Sequence, residues 1–161
     1  MPMSALPTMN FTGSPAPVWS DSLLLGHATI DHEHEHLAEL IEGMRRASGP
    51  DMAAALDALL VHATSHFSAE NELMLRTGFP PRDCHIREHD AVLSTLRGVR
   101  KRLEGGEADV AHRLASELAD WFPAHVQYLD SALSHWLCKL QHGAKPLVLR
   151  MRRKPSATSV A

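Results

Sequence analysis

Between residues 66 and 89 the chain reads HFSAENELMLRTGFPPRDCHIREH, and this stretch narrows the possible folds more than any other. It holds an HxxxE pair, His66 and Glu70, and an HxxxH pair, His85 and His89, separated by Gly78, Phe79, Pro80 and Pro81. Side chains four apart on a helix stand one above the other, so each pair aims two donor groups in one direction. Glycine ends one helix and the prolines start the next, which folds the second back on the first. Four candidate metal ligands then face one another across a helical hairpin. Glu70 falls inside an apolar stripe, where an ionised and unpaired carboxylate costs several kcal/mol. A bound cation is the most direct compensation.

The flanking segments predict two further helices. A helix from Thr29 or Ile30 to about Ala47 carries the apolar stripe Leu37, Leu40, Ile41 and Met44. Stepping back three residues from Leu37 reaches His34, while His32 and His36, two residues to either side of His34, are turned about 200° away. His34 is expected to face the core, and His32 and His36 to face water as an HxxxH pair of their own. The next helix should span Asp51 to Thr77, with Asp51 as N-cap and with Leu56, Leu59, Leu60, Ala63, Phe67, Leu73 and Met74 buried beside His66 and Glu70. His62, at the edge of that stripe, reads as a supporting or core residue.

The third helix should enter through Pro80 and Pro81, carry Asp83 in its first turn and reach about Leu103 on the stripe His85, His89, Val92, Leu96, Val99 and Leu103. Cys84, turned about 100° from His85, reads as structural. A fourth helix from about Glu107 to Leu140 presents Leu114, Leu118, Trp121, His125, Ala132 and Trp136. His125 and Asp130 are its inward polar residues, yet five residues turn a regular helix about 140° past alignment. A wide arc or a π-bulge is therefore expected near residues 119 to 130, where Pro123 already interrupts the hydrogen-bond ladder. His112, His135 and His142 have no partner at ligand spacing and are expected at the surface.

Length and composition agree with one helical domain: 161 residues, 44% hydrophobic, only 5% aromatic. The expected division is an extended N-terminal arm over 1–18, rich in proline; a bundle over 19–142, with Trp19 and the run Leu23 to Leu25 packing on it; and a basic flexible tail over 143–161. Lys145, Arg150, Arg152, Arg153 and Lys154 concentrate positive charge in that tail, leaving an acidic body unsuited to nucleic acid. Two cysteines make no disulfide framework, and no signal peptide or membrane span is evident, so a cytoplasmic monomer is the expectation.

Five imidazoles, from His34, His66, His85, His89 and His125, and two carboxylates, from Glu70 and Asp130, thus fall on predicted buried faces of four helices. Here the chain resembles the hemerythrin family, specifically bacterial single-domain hemerythrins, over about residues 19–138. The matching segments are IDHEH ending at His34, HFSAENELM from His66, GFPPRDCHIREH through His89 and WFPAHVQYLD ending at Asp130. The resemblance implies an all-α, up-down-up-down antiparallel four-helix bundle holding two Fe ions, a non-haem di-iron centre with an oxo or hydroxo bridge. By that resemblance His85, His89 and His125 bind one iron, His34 and His66 bind the other, and Glu70 and Asp130 bridge them. The implied function is reversible O2 binding at the two-histidine iron, for oxygen storage, delivery or sensing, without enzymatic turnover. Two positions depart from the family pattern: His62, where relatives commonly carry Tyr, and Pro123, just before His125. The alternative is a di-iron redox enzyme of peroxidase or ferroxidase type. Such sites favour carboxylates and paired ExxH motifs, whereas the ExxH of this chain, Glu33 to His36, lies on the outer face.

Overall fold

A computed structural model describes residues 16–143. Its elements are a short 3-10 turn, Asp21–Leu23, then α1 (Ala28–Arg46), α2 (Asp51–Thr77), α3 (Arg82–Glu104) and α4 (Ala108–His125); α4 continues through a π segment, Val126–Asp130, into α5 (Ser131–His142). No strand occurs among the described residues. The α4–π–α5 rod counts as one bundle helix, and each of the four rods packs on its two neighbours, α1 closing the ring against α4. The result is an antiparallel four-helix bundle.

The connections follow from local chemistry. At the end of α2, Gly78 adopts φ 65° and Phe79 N–H reaches back to the Met74 carbonyl at 3.0 Å, a left-handed cap that glycine accepts without strain. Asp51 is the first residue of α2 rather than its N-cap: Pro50 holds the cap position and no side chain caps the helix, so Asp51 contributes only its charge beside the helix N-terminus. Before α1, the Asp31 carboxylate accepts the N–H groups of Leu25 at 2.7 Å and Gly26 at 3.0 Å, fixing how the chain turns into the helix. Val18 is buried on the bundle, its N–H donating to Glu42 Oε1 at 3.0 Å.

Two apolar cores form along the bundle axis. The larger contains Leu37, Ile41, Met44, Met52, Leu56, Leu59, Phe67, Leu96 and Phe122; the smaller contains Ile30, Met74, Phe79, Leu133 and Leu137. On every rod the change from one core to the other coincides with the candidate ligands, so a polar layer separates them. Of the extended N-terminal arm and basic tail expected from sequence, residues 1–15 and 144–161 lie outside the described residues.

Candidate metal centre

All seven predicted donors are buried: His34, His89 and Asp130 have no exposed surface, and His66, Glu70, His85 and His125 very little. The two carboxylates each face two ways. Glu70 Oε2 lies 3.4 Å from His89 Nε2, while its Oε1 lies 3.7 Å from Nε2 of both His34 and His66. Asp130 Oδ1 lies 3.0 Å from His85 Nε2 and 3.3 Å from His125 Nε2, while Oδ2 lies 3.2 Å from His34 Nε2. His125 Nε2 is in turn 3.2 Å from Nε2 of both His85 and His89. The donors therefore sort into a three-histidine set and a two-histidine set, with one oxygen of each carboxylate directed to either side.

The π segment makes this possible. Ser131 N–H bonds the Val126 carbonyl, five residues back, so the rod absorbs one residue beyond a regular turn and brings Asp130 under His125. Pro123, with no N–H to donate, weakens the ladder just ahead of it.

Neither oxygen of Glu70, neither oxygen of Asp130 and neither ring nitrogen of His34 makes a hydrogen bond, although all are buried. Native interiors leave very few polar atoms in that state, and six of the eight such side-chain atoms among the described residues belong to these three residues. Glu70, His85, His89, His125 and Asp130 offer donor atoms within 4.8 Å of one another, and so do His34, His66 and Glu70. The donor set, imidazole nitrogens with carboxylate oxygens, fits divalent transition ions.

Outer partners orient the rings. His89 Nδ1 donates to Asn71 Oδ1 at 2.8 Å, and His125 Nδ1 donates to Glu88 Oε1 at 3.2 Å, which leaves each Nε2 lone pair free to point inward. Glu88 Oε1 also accepts the Trp121 indole N–H at 2.9 Å. Phe67 stacks flat on His89 with ring centroids 4.1 Å apart, and Trp121 covers His125 at 4.5 Å. The three-histidine side is thus roofed by aromatic rings. The two-histidine side instead meets a cleft of about 240 Å³ between α1 and α2, lined by residues including His27, Ile30, Glu33, His66 and Glu70.

Electrostatics of the metal-free cluster reflect crowding. Burial and the neighbouring His85 and His125 push His89 down to about 2. Burial also works to lower His34, but the Asp130 and Glu70 carboxylates outweigh it and raise this imidazole to about 9. Burial opposes the charge of Asp130, yet His125, His34 and His85 hold it well below the ordinary carboxylate range. A proton on His34 therefore occupies a place where two carboxylates attract positive charge.

Sequence reasoning placed the seven donors on inward faces, and the structure brings all seven together; His32, His36, His112, His135 and His142 are exposed as expected. Cys84, read as structural, is exposed, with its Sγ 3.1 Å from the Arg87 guanidinium. Asn71, Glu88 and the role of Trp121 were not anticipated, because each acts across to another helix and no spacing within one helix marks such a bond. Glu88 next to His89 in the sequence offers no hint that it serves His125.

Residues 25–137 match the family described as Hemerythrin HHE cation binding domain. A bacteriohemerythrin of Ralstonia nicotianae is 39% identical over 125 residues, covering 78% of this chain and 91% of the relative. A myohemerythrin of Sipunculus nudus is 28% identical over 124 residues, covering 73% and 93%. The crystal structure of a wild-type hemerythrin superposes with a TM-score of 0.67 at 22% identity, covering 74% of this chain and 95% of the other, a likeness of fold.

Proposed function

The chain belongs to the hemerythrin family, and from that premise we propose that it binds O2 reversibly at a non-haem di-iron centre, as a carrier, store or sensor in the cytoplasm. In this reading His85, His89 and His125 would hold one iron, His34 and His66 would hold the other, and Glu70 and Asp130 would offer carboxylate oxygens to both. A ferrous pair would supply the two electrons that reversible O2 binding requires. The observation that carries the proposal is the asymmetry of the site: three imidazoles under the Phe67 and Trp121 rings on one side, two imidazoles beside a cleft on the other. A fully ligated iron needs cover, and an iron with a free coordination position needs access.

The protein residues divide the remaining work. Glu70 and Asp130 contribute two negative charges that would offset half the charge of two divalent ions, which lowers the penalty of burying the site. Asn71 and Glu88 hold the His89 and His125 tautomers with Nε2 inward. Phe67, Phe122 and Trp121 keep water from the layer, Phe122 lying edge-on to His34 at 5.7 Å. Five imidazoles against two carboxylates favour binding over the high-valent chemistry that carboxylate-rich sites support.

The test is anaerobic loading with ferrous iron followed by optical spectra through repeated cycles of O2 exposure and removal. Reversible charge-transfer bands at two irons per chain are expected. His85→Ala and Glu70→Ala should fall well below two irons, and His32→Ala should stay at two. Irreversible oxidation in the first cycle would transfer the assignment to a redox enzyme, and equal iron in all three variants would refute the ligand set.

A further inference from the structure

The outer face of the α1–α2 pair carries histidines that the buried centre does not use. By spacing alone His36 pairs with His32 along α1. In the structure the His36 ring instead meets His62 of α2, edge to face, with centroids 4.4 Å apart. His62 Nε2 lies 3.2 Å from the Glu33 carbonyl oxygen and 3.6 Å from Glu33 Oε2. Glu33 and His36 are one turn apart on α1, and each approaches His62 across the α1–α2 interface, the carboxylate at 3.6 Å and the imidazole ring to ring. His36 and His62 line an open groove of about 580 Å³ that also includes Asp57 and Ser65. Ample room for an ion and its waters exists on this face.

We propose that Glu33, His36 and His62 form a mononuclear site for a divalent transition ion of the zinc or ferrous class, separate from the buried centre. Two imidazoles and one carboxylate, with water completing the shell, are a donor set such ions accept. The ion replaces the proton that His62 Nε2 now donates to the Glu33 carbonyl. Glu33 and His36 are partly or fully exposed and close on the ion by rotation of their side chains, while the half-buried His62 stays in place.

Location gives this site a role. The His62 and His66 rings are parallel, with centroids 6.1 Å apart, and Glu33 also lines the cleft that reaches His66 and Glu70. An ion held by Glu33 and His62 stands one step outside the two-histidine half, at the side where the cleft opens. It is a way-station for a cation moving between solvent and the buried layer.

The proposal does not rest on the O2 reading, and ion counting separates the two. Protein carrying its two irons is dialysed against Zn2+ or Co2+, and each metal is counted by elemental analysis, with the cobalt visible band reporting its coordination. One additional ion per chain is expected in the wild type and in His32→Ala. His36→Ala and His62→Ala should each lose that ion and keep both irons, and should load iron more slowly than wild type. Retention of the added ion in His36→Ala, or its loss in His32→Ala, would overturn the assignment, as would a wild-type chain that takes up no third ion.

Discussion

Replacing Glu88 tests whether the buried centre depends on a residue that touches no candidate ion. One oxygen, Oε1, accepts both the His125 Nδ1–H at 3.2 Å and the Trp121 indole N–H at 2.9 Å. Burial disfavours the Glu88 charge, but the Trp121 and His125 donors hold the carboxyl below its usual range, so it is ionised at neutral pH. In Glu88→Leu the His125 ring loses a charge-assisted bond worth about 1.5–3 kcal/mol. The ring is then free to turn or to change tautomer, and removing such an outer partner typically lowers metal affinity about 10–100-fold. The two figures agree, since each tenfold step in affinity is about 1.4 kcal/mol. Anaerobic competition between the protein and a chelator for Co2+ or Fe2+ measures the effect, with circular dichroism checking that the helices persist. Glu117→Leu is the control: Glu117 lines the same α3–α4 groove beside Trp121 and carries the same charge, but bonds to neither ring. An affinity unchanged in Glu88→Leu, or lowered equally in Glu117→Leu, would refute the argument from hydrogen bonding.

Metal loading should release protons. With His34 raised to about 9 in the metal-free chain, its proton is present at pH 7 and must leave before Nε2 can bind a cation, so apparent affinity should rise about tenfold per pH unit up to pH 9 and then level off. The same shift stabilises the metal-free fold fully below pH 6.5 and loses that contribution as pH rises through 9; calorimetry in buffers of different ionisation enthalpy should count at least one proton released at pH 7, and none would contradict the prediction. Leu56→Ala, at a position with no exposed surface, should lower unfolding stability by about 2–5 kcal/mol in urea. Iron content should remain two per chain, because Leu56 lies ten residues, about 15 Å of helix, from His66; loss of iron would show that the core and the centre are coupled.

Much of this structure is legible along single helices. The separation of His34 from His32 and His36 follows from a stripe of four apolar residues, and the turn at Gly78 follows from glycine, proline and the change of direction they impose. The mismatch in spacing between His125 and Asp130 by itself locates a departure from regular helix. Relations between helices are another matter. Asn71 to His89, Glu88 to His125 and His36 to His62 depend on how far each rod is rotated and shifted against its neighbour, which packing across the whole bundle decides. Core residues such as Leu93, Phe122 and Val126 were missed for the same reason: a helix in a bundle buries a face wider than its strongest stripe. Asp51 failed as a cap because the turn hydrogen bonds from Asp51 N–H to Ser48 and from Met52 N–H to Gly49 already occupy that end of α2.

The π segment also sets what lengths this chain tolerates. Residues 126–130 already hold one residue more than a regular turn, and every side chain beyond them takes its angular setting from that surplus. Removing one residue there would rotate all of α5 by about 100° against the bundle while α4 stayed where it is. Leu133 and Leu137 would swing away from Met74 and Phe79 at the same moment that Asp130 left the histidines. A gain or loss of a residue in the α2–α3 turn would shift one junction; at this point it would undo the centre and the smaller core together. Length variation among relatives is therefore expected in the connections and not within residues 125–130, where the residue count acts as a gear between two halves of one rod.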